Sequence, residues 1–203
     1  MEREGDRTPL AYRIIYSLGL RSVYRPVSKL ISVIGPGAIG VDVGAGYGLS
    51  AELIADRVGH LILVEVDGDM ASSARRRLED RPNVSVLRAD ARTLPLRDEV
   101  ADFVIFFDSL HHIPEPMRAL GEAARVLKIG GVLGIYDFDN SRVSTRILGR
   151  VERMMGLHST FFSLDNLVEG LTSLGMRVVG VRERWAGQID LLAVRVGGSL
   201  GVS

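Results

Sequence analysis

Cysteine is missing from all 203 residues of the chain. Its absence removes disulfides, thiolate metal sites and cysteine nucleophiles from the candidate chemistry. An excess of charge is missing too, since lysine plus arginine and aspartate plus glutamate each total 25. A balanced chain has no global field to draw in nucleic acid or acidic lipid. Long apolar runs are also lacking, because each one is broken by charge, glycine or proline. No segment therefore reads as a membrane span or a secretory leader, and a cytoplasmic location is expected. There is no internal repeat and no low-complexity linker, and a 46% hydrophobic content over this length suits one domain with a substantial core.

What is present is concentrated in Val41-Asp42-Val43-Gly44-Ala45-Gly46-Tyr47-Gly48. The preceding apolar run, Ala38-Ile39-Gly40-Val41, reads as a buried parallel strand. Gly44, Gly46 and Gly48 let the backbone turn sharply, accept φ > 0 and approach a ligand with no Cβ in the way. From Leu49 to Arg57 apolar positions recur at helical spacing. The segment thus reads as strand, glycine turn and helix, with open N–H groups at the helix start. It is not the dinucleotide fingerprint, which needs glycine at its first, third and sixth positions; counted from Gly44, the sixth is Leu49.

The rest of the chain continues the alternation. A second apolar strand, His60 to Asp67, ends in acids, and Glu65 falls roughly twenty residues past the glycine turn, where a βαβ unit delivers its next strand tip. A carboxylate there can accept both hydroxyls of a ribose; it can equally serve as a helix cap, a duty that Asp67 suits better. A third strand over 84–88 precedes Asp90 and Ala91, and a fourth from Phe103 runs into Asp108, His111 and His112. A helix over 115–128 leads to Arg125-Val126-Leu127-Lys128-Ile129-Gly130-Gly131 and a strand over 132–138. Ser163 reads as the cap of a further helix ended by Gly175, and strands over 177–184 and 190–196 close the chain.

Asp42-x-Gly44-x-Gly46-x-Gly48, the stretch Leu63 to Met70, the stretch Leu94 to Ile105 and the signature Arg125 to Gly131 arrive in one order. Together, over approximately residues 35–140, they resemble the motifs of class I S-adenosylmethionine-dependent methyltransferases. Ile129 stands where that signature usually has proline, a change of turn stiffness more than of chemistry. The resemblance implies an α/β fold with a doubly wound, Rossmann-like seven-stranded sheet, mostly parallel with a C-terminal antiparallel hairpin. It implies a single methyltransferase domain over 1–203: a helical segment at 10–34, a cofactor-binding core at 35–140, a cap at 141–163, and a helix and hairpin at 164–196. The implied cofactor is S-adenosylmethionine, with S-adenosylhomocysteine as product. Gly44, Ala45, Gly46 and Gly48 would line its turn, and Glu65 would hold the ribose beside Val66. Asp90 would accept from the adenine amino group, with the Ala91 N–H on a ring nitrogen. Asp42 and the backbone at Phe106 and Phe107 would hold the methionine part.

Methyl transfer is an in-line displacement that asks the protein mainly to align nucleophile, methyl and sulfur. A general base is needed only for a nucleophile that arrives protonated. Asp108, His111 and His112 are the candidates; the two histidines also read as packing and helix-start residues, and Asp137 as a loop acid. No metal site is expected. The Asn/Asp-Pro-Pro-Tyr/Phe tetrapeptide of amino-nitrogen methylases is absent, its place reading Asp108-Ser109-Leu110-His111. Arg75-Arg76-Arg77, followed by Glu79, Asp80 and Arg81, reads as a solvated helix face of mixed charge. Nucleic acid is therefore disfavoured and a small-molecule acceptor favoured. Within the family the chain is most similar to the ubiquinone/menaquinone C-methyltransferase group, through Leu94-Pro95-Leu96, the Arg125 to Gly131 signature and Tyr16-Ser17-Leu18-Gly19-Leu20. The short cap and Leu110-His111-His112, in place of an asparagine-bearing sequence, depart from it. Tyr16, Tyr24, Met154 and Phe161 are candidates to line an aromatic or lipophilic acceptor's pocket, or else pack the cap. The alternatives are an RNA or protein methyltransferase and a noncatalytic cofactor-binding partner subunit; a homodimer is left open.

Overall fold

A computed structural model of the protein describes residues 35–138, 162–183 and 188–197. The segment at 10–34, most of the cap at 141–163, and Tyr16, Tyr24, Met154 and Phe161 lie outside the described residues. The described chain runs β1 (Ile39–Val43), α1 (Ala51–Ile54), β2 (His60–Glu65), α2 (Gly68–Arg77), β3 (Val84–Arg88), β4 (Ala101–Phe107), α3 (Pro116–Val126), β5 (Leu127–Phe138), α4 (Leu164–Ser173), β6 (Met176–Glu183) and β7 (Gln188–Arg195). The seven strands form one sheet in the order β3-β2-β1-β4-β5-β7-β6. The first five pair in parallel. β7 pairs antiparallel with both β5 and β6, so the final hairpin folds its last strand inward.

Both faces of the sheet are covered, which is why its central strands are nearly continuous in apolar residues. On one face Val104, Phe106, Ile135 and Leu191 pack with Leu120 of α3 and Leu167 and Leu171 of α4. On the other, Phe103, Ile105, Phe107 and Tyr136 pack with Ile54 of α1 and Ala74 of α2. Gly40 and Phe103 are register partners on β1 and β4. A Cβ built on Gly40 would lie 2.1 Å from the tip of the Phe103 ring, so the ring fits against β1 only because that position is glycine. Gly40→Ala is expected to cost about 1–3 kcal/mol through overpacking. Urea unfolding checks this, and Phe103→Leu in the same chain should recover part of the loss.

Several element bounds depart from the sequence expectation: the helix expected over 115–128 is Pro116–Val126, and the strand expected over 190–196 is Gln188–Arg195. The helix expected over 49–57 is a short α1 followed by a 3₁₀ turn, Ala55–Arg57. The chain must tighten there because the Gly59 and His60 N–H groups both return to the Ala38 carbonyl, at 2.9 and 3.1 Å. The strand expected over 132–138 begins at Leu127, because Leu127 pairs with Ala101 and Val132 with Phe103. The residues between bulge from the ladder, with Gly130 at φ +81°. The signature's turn is therefore a bulge inside β5.

Arg125 explains why the signature and the Leu94-Pro95-Leu96 stretch go together. Its guanidinium forks onto both oxygens of Glu122 at 2.8 Å each, and reaches the Leu94 and Leu96 carbonyls at 3.1 and 2.9 Å. It also donates to Asp98 at 2.6 Å, while Glu122 accepts the Leu94 N–H at 2.7 Å. The hydrogen bonds from Arg125 hold the Glu122 carboxyl below its ordinary range against the opposing effect of burial. One planar cation thus pins the loop between β3 and β4 to α3.

Candidate functional site

In an open α/β sheet the ligand crevice lies beyond the carboxyl ends of the strands where strand order reverses. Here the reversal falls at β1, flanked by β2 on one side and β4 on the other. The strand ends deliver the Gly44 turn after β1, Glu65 on β2, Asp90 after β3, Asp108 after β4 and Asp137 on β5.

The glycine turn is held from both sides. The Gly44 and Ala45 N–H groups donate to the Val64 carbonyl at 2.8 and 3.1 Å, and Gly48 N–H to Ala45 at 2.9 Å. Gly44 and Gly46 lie at φ +75° and +55°. A Cβ at Gly44 would sit 2.6 Å from that of Ser109, whose hydroxyl donates to the Val43 carbonyl at 2.7 Å. Glycine thus lets the loop after β4 close directly onto the turn. Glu65 accepts the Gly46 N–H at 2.8 Å on one oxygen and the Asp67 N–H at 2.9 Å on the other. This expected ribose acid is buried and rigidly aimed. Asp67 caps α2, accepting from the N–H groups of Asp69 and Met70. Beside Glu65, Val66 is 62% exposed, an apolar side chain open to cover a flat ring.

Beneath the turn lies Asp42, 1% exposed. It accepts the Ser50 hydroxyl at 2.5 Å on one oxygen, while its other oxygen has no hydrogen-bond partner among the described residues. Burial pushes this carboxyl up to about 7; the Ser50 bond opposes the rise, and the charge of Glu65 adds to it. A buried acceptor left open in this way is unusual and invites a donor or a cation. Ser50 precedes α1 but makes no cap bond, its hydroxyl being spent on Asp42.

Asp90 is half-buried and grasped by a neighbour absent from the sequence expectation. Arg92 donates to it from its backbone N–H (2.8 Å), from Nε to both oxygens (3.0 and 3.1 Å) and from Nη2 (2.7 Å). These hydrogen bonds to Arg92 hold the Asp90 carboxyl below its ordinary range despite partial burial. Ala91, the next residue, is buried.

Phe106 and Phe107 contribute no side chain to the crevice. Phe106 is wholly buried in one core, and Phe107 packs against Tyr136 in the other with ring centroids 5.9 Å apart. Only their backbone can serve a ligand. The chain then turns at Asp108, a non-glycine residue at φ +51° whose N–H still donates to the Tyr136 carbonyl at 2.8 Å. That turn exposes Asp108 and buries His111.

His111 meets Asp137 twice: Nδ1 lies 2.6 Å from one carboxylate oxygen, and its N–H donates to the other at 3.2 Å. Both side chains are buried, at 2% and 6% exposure. A carboxylate only accepts, so Nδ1 carries the hydrogen, and in the neutral ring the lone pair then falls on Nε2. Asp137, which reads from sequence as a loop acid, is thus a histidine partner. The donor atoms of Asp108, His111 and Asp137 lie within 4.8 Å of one another, a spacing a cation could bridge. The short His111–Asp137 bond already engages two of them with each other. His112 is exposed and stacks obliquely on His111 at 3.8 Å.

The arginine run on α2 is spent within the chain. Arg75 donates to the Val86 carbonyl at 3.1 Å, Arg76 to the Ser73 hydroxyl at 3.2 Å, and Arg77 to the Tyr47 carbonyl at 3.1 Å.

Residues 41–135 match the family described as Methyltransferase domain. Among curated proteins, the demethylmenaquinone methyltransferase of Clavibacter sepedonicus is 34% identical over 51% of this chain and 42% of its own. The phosphatidylethanolamine N-methyltransferase of Cereibacter sphaeroides is 32% identical over 60% of this chain and 63% of its own. The chain spans less than two thirds of the length of either relative. Among solved structures, a SAM-dependent methyltransferase from Aquifex aeolicus superposes with a TM-score of 0.69 at 24% identity, covering 91% of this chain and 98% of that one. At that identity the likeness concerns the fold. No helix among the described residues is long and apolar enough to cross a membrane.

Proposed function

We propose that this chain, whose residues 41–135 match the methyltransferase domain family, transfers a methyl group from S-adenosylmethionine to a small acceptor. The observation that carries the reading is the line of acids along the strand ends. Glu65 is fixed on the glycine turn, Asp90 stands on the next loop, and a buried Asp42 lies beneath with an open oxygen. Adenosine would lie over Glu65 and Asp90 with Val66 against the ring. The methionine ammonium would approach Asp42, and the acidic rim favours the cationic sulfonium over its neutral product.

A small acceptor is supported by the balanced charge of the chain and by arginines that are already engaged on α2. Two relatives are named as methyltransferases of demethylmenaquinone and of phosphatidylethanolamine, which supports an acceptor with a lipophilic part. The His111–Asp137 pair adds a base for an acceptor that arrives protonated, such as a hydroxyl or phenol.

Calorimetric titration with S-adenosylmethionine and S-adenosylhomocysteine, with NAD as control, tests the reading. Both sulfur nucleosides should bind and NAD should not. Glu65→Ala and Asp90→Ala should each weaken binding by about 1–3 kcal/mol, the loss of a charged hydrogen-bond partner. Unchanged affinity in both variants would remove this placement of the cofactor.

A further inference from the structure

Asp90 is engaged before any ligand reaches it. A carboxylate offers about four lone-pair positions, and Asp90 already takes the Arg92 N–H and Nε on one oxygen and Nε and Nη2 on the other. The third guanidinium nitrogen, Nη1, donates to Glu115 at 3.0 Å, at the start of α3. Arg92 is therefore forked between two carboxylates on different loops. An open hollow of about 500 Å³ lies beside it, lined by Arg92, Met117 and Arg118 among others, with room for a displaced side chain.

We infer that Arg92 is an internal competitor for the acid that would read adenine, and that it sets how readily the spent cofactor leaves. The inference rests on the cofactor placement proposed above. An incoming adenine amino group needs a lone pair of Asp90 and must displace part of the Arg92 fork. The guanidinium then stays near on its Glu115 anchor, ready to return. Such a tethered rival lowers affinity for the nucleoside and acts chiefly on dissociation, where most differences between related complexes lie. In an enzyme limited by product release, faster loss of S-adenosylhomocysteine would raise turnover.

The test compares wild type, Arg92→Ala and Arg92→Gln in calorimetric and stopped-flow binding of S-adenosylhomocysteine and of its S-inosyl counterpart. The inosyl ligand carries an oxo group where adenine has its amino group, so it gains nothing from a vacated carboxylate. Both variants should bind S-adenosylhomocysteine about two- to fivefold more tightly, the scale of a solvent-exposed ion pair, and release it correspondingly more slowly. The inosyl compound should show no such gain. Unchanged or weaker binding of S-adenosylhomocysteine by folded variants overturns the inference. Equal gains for both ligands overturn it too, since they would reflect a general field and not competition at one edge of the base. If neither wild type nor variants bind either ligand, the cofactor reading itself fails and the inference falls with it.

Discussion

Asp42→Asn is expected to make the protein more stable at pH 8 and less able to bind cofactor. The carboxyl is buried, meets only the Ser50 hydroxyl among the described residues, and lies near a second acid, Glu65. Its ionisation is shifted from 3.8 to about 7. At about 1.4 kcal/mol per tenfold, holding it ionised costs on the order of 4 kcal/mol above pH 7. Because the native state binds this proton more tightly than the unfolded chain, its contribution is fully favourable below pH 3.8 and is lost as pH rises through about 7. Asparagine has no charge to bury and can still accept from Ser50. Its advantage in urea unfolding should therefore be on the order of 4 kcal/mol at pH 8 and shrink to about 1 kcal/mol by pH 4.5. An advantage that did not change with pH would mean that the carboxyl is already relieved in the folded protein. Affinity should move the other way, with S-adenosylmethionine binding to the variant about ten- to a hundredfold more weakly as the ammonium loses a charged partner. Opposite signs in the two measurements would mark an acid retained for its ligand at a cost to the fold.

The fold was largely legible because its strands are written as apolar runs. Val84–Arg88 has the bounds expected for it, and Ser163 caps α4 by accepting the Asn166 N–H as its position suggested. Glu65 and Asp90 stand where the sequence puts them, at the end of β2 and just after β3. What was not legible depends on register. Asp137 meets His111 because Phe107 pairs with Tyr136, bringing the end of β5 beside the turn after β4. Nothing in residues 26 apart in sequence announces that meeting. The Ser50 bond is illegible for the same reason, since its hydroxyl satisfies a buried carboxyl eight residues earlier. Phe106 and Phe107 at the end of β4 alternate, each pointing into a core on its own face of the sheet, so the expectation placed on their backbone involves no side chain. Arg92 was within reach, since an acid followed two residues later by arginine is a local pair, but a single arginine in a mixed-charge loop carries little signal on its own.

For an acceptor whose nucleophile carries a proton, His111→Ala should lower turnover by about 10²–10⁴-fold, the usual range for a lost general base, while leaving S-adenosylhomocysteine affinity within about twofold. Asp137→Asn is the sharper test because it preserves shape. An asparagine amide can donate to Nδ1, which moves the ring hydrogen to Nε2 and removes the lone pair that would take the substrate's proton. Turnover should then fall although the imidazole stays in place, with KM and cofactor affinity little changed. His112→Ala should cost less than either, because that ring is exposed and touches His111 only obliquely. The competing account is that His111 and Asp137 simply bury a hydrogen bond that fastens the β4 turn to β5. It predicts lowered thermal stability in His111→Ala and little change in Asp137→Asn, with turnover per folded molecule preserved in both. The two accounts separate on Asp137→Asn, where a fastening role tolerates an amide and a base does not.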